Sequence, residues 1–213
     1  YGFPSRIASV AHAVVVLGLN VVKGLTLCAT AFDMMRNAGM NELWRHSLGV
    51  AMTAHILGTK AAMKNPEEVF VAGLLHDIGK VVLYVKWPDV GQQITTVTRN
   101  TSRPLMDTEQ ELFEVTHADV GGWLASAWHL PTSLREPILH HHTPAAAQDA
   151  KLQTAIVHVA DVLVKGLACG NPGDDLVPPL SRQAWDLVGL DAQSLAHCLT
   201  QATEEFQTID DYL

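Results

Sequence analysis

A chain of 213 residues, 48% hydrophobic and 17% charged, is long and apolar enough to bury the core of one domain, which excludes a disordered protein. Its formal net charge of -8 argues against a nucleic-acid binder, because contact with phosphates needs a basic surface. The cysteines Cys28, Cys169 and Cys198 lie far apart, which excludes a zinc ribbon and indicates a reduced, cytoplasmic protein. No apolar run reaches the roughly 18 residues of a membrane-spanning helix.

Apolar residues recur every three or four positions along most of the chain, a spacing typical of amphipathic helices. The first two apolar stretches, Ile7 to Leu17 and Val21 to Met35, are separated by Gly18, which predicts a helix end. The next helix is expected from Glu42 to Met63. Pro66 and the two glutamates after it predict a further helix start, since proline suits the first turn and acids its positive end.

The rest of the chain continues in the same pattern. Val81 to Val85 is compatible with a short strand, but no second strand is visible to pair with it. Gly170 to Pro179 is the one clear loop and is too short for a domain linker. Helices are predicted over 66–85, 89–99, 104–114, 117–129, 131–142, 149–168, 181–189 and 191–212.

These elements predict a single all-α domain over residues 1–213. The chain begins YGFPSR, with neither an initiating methionine nor a charged leader, which argues against a signal peptide. We therefore expect a further segment upstream of it.

The strongest local signal is the pair His76 and Asp77 inside the run LLHDIGK. The apolar residues bury this segment, and Lys80 adds a third polar group to the same environment. Adjacent helix positions differ by about 100°, so both side chains can reach one ion from a helix end. A buried carboxylate needs a compensating partner, and a metal ion supplies one. The plainer alternative is a polar pair that closes a core helix.

Further candidate ligands lie on either side of this motif. Glu42 and His46 are four residues apart and share a helix face, which also fits an exposed surface pair. Asp161 follows His158 by three residues and has a satisfied core carboxylate as its alternative, whereas His158 is expected to be a structural hydrogen-bonding residue. The remaining candidates are His117, at the start of a helix, and the triplet His140, His141 and His142, of which His140 is expected to be surplus.

Imidazole and carboxylate donors without thiolates suit iron, manganese or zinc rather than calcium. Two such ions bridged by one aspartate would hold a hydroxide and polarise a phosphate, as in metal-assisted hydrolysis of phosphoesters.

Four sequence blocks, in this order, resemble the HD superfamily, and most closely the HD-related output domain (HDOD) of bacterial signalling proteins. The blocks are Ile7-Ala8-Ser9 through Leu17-Gly18, His76-Asp77-Ile78-Gly79-Lys80, Glu109 and Glu111 through His117-Ala118-Asp119-Val120-Gly121 to Trp128-His129-Leu130-Pro131, and His141-His142-Thr143-Pro144 with His158-Val159-Ala160-Asp161. The resemblance implies a compact multi-helix domain with a central metal-site cavity. It also implies signal transduction with a protein partner or a fused sensory or receiver domain.

The related HD-GYP phosphodiesterases, which hydrolyse cyclic-di-GMP, bind two or three metal ions. The resemblance makes Asp77 the bridging ligand and places Lys80 against a substrate phosphate, so these two residues are the catalytic candidates. It implies one or two first-row divalent ions, with iron or manganese expected first and zinc or nickel as alternatives. Carried over by motif, the ligand positions fall on Glu42, His46, His76, Asp77, His117, His141, His142 and Asp161.

Two functions stay open on these residues. A regulatory output domain would use the metal-containing fold as a platform, whereas a metal-dependent phosphohydrolase would act on a nucleotide or another phosphoester. The full ligand set favours the enzyme. After His142, however, the chain reads TPAAAQDAKLQ, without the GYP motif or its glycine-rich loop. We therefore favour the regulator and expect no useful hydrolysis of cyclic-di-GMP.

Overall fold

The computed structural model describes residues 17–101 and 103–210; the expected helix from Ile7 therefore lies outside the described residues up to position 16. Within these ranges the chain forms helices without a strand, which confirms the all-α prediction. A 3-10 turn, Pro144–Ala146, follows the eighth of the described α-helices. The α-helices are α1 Leu19–Asn37, α2 Asn41–Lys60, α3 Pro66–Leu75, α4 Ile78–Lys86, α5 Pro88–Thr101, α6 Leu105–Phe113, α7 His117–Ala127, α8 Thr132–His140, α9 Lys151–Gly166, α10 Arg182–Val188 and α11 Ala192–Asp210.

The prediction of one continuous helix over 66–85 is wrong. Helix α3 ends at Leu75 and α4 begins at Ile78, with His76 and Asp77 in the turn between them. The backbone of Asp77, at φ -97° and ψ 14°, departs from helical values. The possible strand over Val81 to Val85 is also wrong, because those residues lie inside α4. The break frees the two polar side chains from the fixed angular spacing of a helix.

Helix α2 lies at the centre of the fold and contacts α3, α9 and α11. Around it, α4 packs against α7, and α8 packs against α3, α7 and α9. The core side chains at these contacts, among them Leu57, Leu75 and Ile156, are fully buried. This arrangement brings the first turns of α2, the α3–α4 turn and the second half of α9 to one region.

Two glycines allow the close helix contacts that place the α3–α4 turn. A side chain at Gly73 on α3 would meet the backbone of Ala51 on α2, with 2.7 Å between the added Cβ and the Ala51 Cα. A side chain at Gly79 on α4 would lie 1.9 Å from the carbonyl oxygen of His117 and 2.8 Å from the amide nitrogen of Gly121. The segment from Gly73 to Gly79 is thus clamped between α2 and α7.

Candidate metal centre

Five parts of the chain bring histidine and aspartate side chains to one buried region. Of the residues concerned, His142 is half-buried, and each of the others is at most 2% exposed. They are His46 from α2, His76 and Asp77 from the α3–α4 turn, His117 from the start of α7, His141 and His142 from the end of α8, and Asp161 from α9.

One group of donor atoms forms around Asp161. The Nε2 atoms of His46 and His76 lie 3.1 Å and 3.9 Å from the Asp161 Oδ1 atom. The same two nitrogens are 3.9 Å and 3.3 Å from the Oδ2 atom of Asp77. His46, His76 and Asp161 each offer a ligand atom within 4.8 Å of the other two. Their arrangement is suited to one metal ion.

A second group lies on the other side of Asp77. The Nε2 atom of His117 is 3.0 Å from the His142 Nε2 atom and 3.3 Å from the Asp77 Oδ1 atom. The Nε2 atom of His141 is 3.7 Å from the same oxygen. His117, His141 and His142 also offer ligand atoms within 4.8 Å of one another. Asp77 thus presents Oδ2 to the first group and Oδ1 to the second, the geometry of a bridging carboxylate.

Hydrogen bonds hold three of the imidazoles so that Nε2 faces the centre. The Nδ1 atoms of His76 and His141 donate to the carbonyl oxygens of Gly73 and Ile138, at 2.7 Å and 2.9 Å. The Nδ1 atom of His117 lies 2.6 Å from a carboxylate oxygen of Glu109. A proton on Nδ1 leaves the Nε2 lone pair of each ring available to a metal ion.

The electrostatics of the centre keep its two carboxylates charged. Burial alone would raise the pKa of Asp77, but the charges of His76 and Lys80 hold it well below its usual value. For Asp161, burial is likewise outweighed by the nearby imidazole of His46, and its pKa is also held well below the usual value. Two buried anions therefore face the imidazoles, and a cation would compensate them.

The imidazoles divide into two kinds. Burial, with the charge of a neighbouring histidine, holds the pKa of His141 well below its usual value and lowers that of His142 to about 3. Burial also outweighs Asp161 in lowering the pKa of His46. At His76 and His117, burial is outweighed by the nearby carboxylates, which raise the pKa. The carboxylate charge that holds a proton on those two rings also attracts a metal cation.

The residues present fit a metal ion of the first transition series. Among the described residues, the buried Nε2 atoms of His46 and His141 and the Oδ1 atom of Asp77 have no hydrogen-bond partner. All three atoms lie in the donor groups described above. Buried polar atoms without partners are costly, and a shared ion would satisfy them together. The nitrogen and carboxylate donors, without a thiolate, suit iron, manganese, zinc or nickel.

The structure does not bring Glu42 into either donor group. Its side chain is 57% exposed and accepts a hydrogen bond from Arg45 at 3.2 Å. It lies at the start of α2, one turn before His46, and its carbonyl oxygen accepts from the amide of Asn171. Residues four apart lie one above the other on a helix, but of these two side chains only His46 points inward. The role of Glu42 as a ligand stays a prediction.

Lys80 lies beside the centre. Its Nζ atom donates to the Asp77 Oδ2 atom at 2.7 Å, and the residue is 4% exposed. Burial would lower the pKa of Lys80, but the charge of Asp77 outweighs burial and raises it. Lys80 is therefore a charged partner of the bridging carboxylate.

Two expectations about the other histidines agree with the geometry. His140, the expected surplus member of the triplet, takes no part in either donor group. His158 is a structural hydrogen-bonding residue, as predicted. Its Nδ1 atom donates to the carbonyl oxygen of His141 at 2.7 Å, and its Nε2 atom accepts from the amide of Ser181 at 3.0 Å. It thus fixes the backbone of a candidate ligand.

Glu109 is a site residue that the sequence reasoning missed. It is fully buried on α6, and one of its oxygens accepts from both the backbone amide and the ring of His117. The signal was present in the sequence, because Glu109 lies one helical turn after Leu105 on the buried stripe of α6. An acid on an apolar stripe indicates a buried partner.

Comparison with known proteins agrees with this fold. Residues 1–144 match the HDOD domain family, and the chain belongs to that family. None of the described helices is long and apolar enough to cross a membrane.

Several known proteins are similar to most of this chain in sequence or in structure. An HDOD domain protein of unknown function from Geobacter sulfurreducens superposes with a TM-score of 0.76 at 26% identity, over 99% of this chain and 76% of that one. The MmoQ response regulator from Methylococcus capsulatus superposes with a TM-score of 0.56 at 24% identity, over 91% and 75%. An uncharacterized protein of Treponema pallidum is 24% identical over 182 residues, 83% of this chain. Our chain spans 35% of the length of that protein.

Proposed function

We propose that this chain is a bacterial signal-transduction output domain whose helices hold one or two first-row divalent metal ions. The observation that carries the proposal is the convergence of buried donor atoms that lack a protein partner, on His46, Asp77 and His141. Membership of the HDOD family supports the output role. His46, His76 and Asp161 would hold one ion, and Asp77 would bridge it to a second ion at His117, His141 and His142.

A metal ion at this centre would join helices that are far apart in sequence. The donor residues come from α2, the α3–α4 turn, α7, the end of α8 and α9, so binding energy would become folding energy. In chemical terms such an ion supplies Lewis acidity and a bound water of lowered pKa. The protein residues act around it: Glu109 and the carbonyl of Gly73 orient rings, and Lys80 neutralises Asp77.

The burial of the centre supports a regulatory use of the ion. Structural metal sites are closed by protein ligands, whereas catalytic sites keep a position open to substrate. Here the loop after α9 covers the start of α2: a side chain at Gly170 would lie 2.3 Å from the amide nitrogen of His46. The amide of Asn171 donates to the carbonyl of Glu42, and Asp174 accepts from the amide of Leu105.

The segment after His142 supports the expectation that cyclic-di-GMP is not a substrate. Catalysis of phosphoryl transfer depends on groups that hold the phosphate in line with its attacker. The backbone amides of Gln148, Asp149 and Ala150 already donate to the carboxylate of Glu136. They are therefore not free to bind a phosphate.

A metal-dependent phosphohydrolase acting on a nucleotide or another phosphoester is the second candidate. The observation that favours it is a cavity of about 600 Å³ lined in part by Lys80, the charged partner of Asp77. A small phosphoester in that cavity would lie near the candidate centre.

We place the protein in the cytoplasm, with the signal delivered by a protein partner or by a fused sensory or receiver domain. The wide spacing of the three cysteines in the sequence supports a reducing compartment. We propose a single domain over residues 1–213.

A turnover assay separates the two candidates. Protein loaded with manganese or ferrous iron would be tested against cyclic-di-GMP, mononucleotides and simple phosphomonoesters, beside the Asp77→Ala variant. We expect wild type to hydrolyse cyclic-di-GMP no faster than the variant does. Robust hydrolysis that disappears in Asp77→Ala would make the protein an enzyme first.

A further inference from the structure

The cavity of about 600 Å³ lies between α5, α4 and the loop after α9. Its walls include Lys80 and Tyr84 from α4, and Thr95, Thr98 and Arg99 from α5. None of His46, His76, Asp77, His117, His141, His142 or Asp161 lines it. The cavity is therefore a neighbour of the candidate metal centre and not a part of it.

Thr98, which lines the cavity, has a buried hydroxyl group without a hydrogen-bond partner in the described part of the chain. The residue is 4% exposed. The neighbouring hydroxyl of Thr95 is satisfied by the carbonyl of Gly91 at 2.9 Å and lies 3.3 Å from the Tyr84 hydroxyl. Because a buried hydroxyl without a partner is costly, Thr98 is a group that a ligand would satisfy.

Two arginines, Arg99 and Arg103, also line the cavity. Arg99 follows Thr98 directly, and within the described part of the chain it makes no ion pair or hydrogen bond. Arg103 pairs with Glu111. Guanidinium groups bind the oxygens of phosphates and carboxylates through paired hydrogen bonds. Arg99 is therefore free to bind an anion.

The part of the lining that comes from the start of α2 and the loop after α9 forms an acidic wall, whose carboxylates already accept from protein donors. Carboxylates with their own partners attract a cation less strongly and still accept hydrogen bonds from ligand hydroxyl or amino groups. The pairs are Glu42 with Arg45 at 3.2 Å, Asp174 with Lys165 at 2.9 Å, and Asp175 with the side-chain amide of Asn171 at 2.8 Å.

We propose that this cavity binds a small organic anion, with its phosphate or carboxylate group at Arg99 and Thr98 and its hydroxyl or amino groups toward the acidic wall. Lys80 connects the ligand to the metal centre, because it lines the cavity and donates to the Asp77 Oδ2 atom. An anion that draws Lys80 away from Asp77 frees that oxygen for a metal ion. Ligand and metal then strengthen each other's binding, as linkage requires.

The binding half of the proposal is tested on metal-free protein, so it does not depend on the proposed metal site. The probes are ribose 5-phosphate, gluconate, inorganic phosphate and uncharged ribose, followed by NMR titration. We expect saturable binding of ribose 5-phosphate or gluconate below about 10 mM, tighter than that of inorganic phosphate or ribose. The tighter of the two probes identifies the acid group.

Two variants locate the site. Arg99→Gln should weaken binding about tenfold, while Arg36→Gln, which removes an exposed arginine on α1, should leave it unchanged. Thr98→Val should also weaken binding, and should do so without loss of thermal stability because the hydroxyl has no protein partner. Unchanged binding in Arg99→Gln, no saturable binding of either organic anion, or equal binding of inorganic phosphate would overturn the proposal.

The coupling half rests on the proposed metal centre. Manganese affinity, measured by calorimetry, should rise about fivefold when the cavity is saturated with the tighter probe. In Lys80→Met the affinity should no longer respond to the probe. A wild-type protein that binds both partners independently would contradict the coupling. A protein that binds the anion but no metal would refute the metal centre and leave the cavity assignment standing.

Discussion

Among the described residues, Glu109 and His117 form the carboxylate–imidazole pair that orients a candidate ligand from outside the donor groups. Replacing Glu109 with glutamine removes the negative charge from the group whose Oε2 atom accepts from both the backbone amide and Nδ1 of His117. Changes to such supporting residues weaken metal binding by about tenfold or more. We expect Glu109→Gln to lower manganese affinity by about that factor in a calorimetric titration.

Glu111 provides the matched control for that experiment. It lies on the same helix, but its side chain is 60% exposed and pairs with Arg103 at the surface. Glu111→Gln should bind manganese like wild type. If Glu109→Gln also retains wild-type affinity, the orientation of His117 does not depend on Glu109 and our description of the second donor group is wrong.

Gly79 tests the contact that places the α3–α4 turn against α7. A methyl group at this position would meet the backbone of His117 and Gly121, which no side-chain movement relieves. We expect Gly79→Ala to lower the free energy of unfolding by about 3 kcal/mol, measured by urea denaturation. Gly166→Ala, where nothing lies within 4 Å of the added carbon, should be neutral or stabilising. Equal stability of the two variants would refute the close contact.

At this scale the sequence singled out most of the side chains that converge, but not their surroundings. Histidine and aspartate beside apolar residues are visible as buried polar groups in the LLHDIGK run. The partnership of Glu109 with His117 is tertiary: it joins α6 to the first residue of α7 through a turn whose path no periodicity fixes. The outward direction of the Glu42 side chain was also not predictable, because residues four apart share a helix face only approximately.

Helix α9, which carries His158 and Asp161, begins with a cap supplied by another helix. The carboxylate of Glu136 on α8 accepts from the amides of Gln148, Asp149 and Ala150, at 3.1, 3.1 and 2.7 Å. Replacing it with glutamine should lower the free energy of unfolding by about 1–3 kcal/mol, because hydrogen bonds to a charged group are lost. Urea denaturation at neutral pH measures this. An unchanged midpoint would show that α9 needs no such cap.

The effect of Glu136→Gln should depend on pH. Burial alone would raise the pKa of Glu136, but the hydrogen bonds from the three amides outweigh burial and lower it. Since the folded-state pKa lies below the unfolded one, the stabilisation is present above the unfolded pKa and is lost as the pH falls through the folded pKa. The stability difference between wild type and variant should therefore shrink in acid. A difference that grows in acid would contradict the assignment.

The loop after α9 depends on Asp174. This carboxylate accepts from Lys165 and from the amides of Leu105 and Leu176, at 2.9, 2.9 and 3.1 Å. We expect Asp174→Asn to raise the hydrogen-exchange rate of the Leu105 and Leu176 amides about tenfold, since the charge that fixes the loop is lost. Asp175→Asn should change exchange far less, because within the described ranges Asp175 accepts from the Asn171 side chain alone. Equal exchange in both variants would show that Asp174 does not anchor the loop.

Element boundaries followed from the sequence where capping residues were present. Pro66 and its two glutamates begin α3 as expected, and Gly18, at φ 85° and ψ 150°, lies directly before the start of α1. The break between α3 and α4 was missed because apolar residues continue through 66–85 without a gap in the helical spacing. The contacts of Gly73 and Gly79 with other helices accompany that break, and they are not local in the sequence.

Across the whole molecule, the candidate centre joins α2 to α9 through side chains 115 positions apart in the chain, His46 and Asp161, at 3.1 Å. A ligand that binds only the folded state stabilises it. A metal ion bound by these donors would therefore stabilise the packed helices relative to the unfolded chain. The all-α class was predictable because helical spacing repeats in nearly every segment, whereas the meeting of α2 with α9 is a property of the packed core.

The central claim is that the converging histidines and aspartates bind metal. Elemental analysis tests it directly, on protein that is purified without chelator and reconstituted with manganese, iron or zinc. The matched variants are Asp77→Ala, which removes the bridging carboxylate, and His140→Ala, which removes a histidine outside both donor groups. We predict at least one bound first-row ion per chain in wild type and His140→Ala, and binding weakened at least about tenfold in Asp77→Ala. A wild-type chain that binds no ion after reconstitution, or Asp77→Ala protein with the metal content of wild type, would contradict the account.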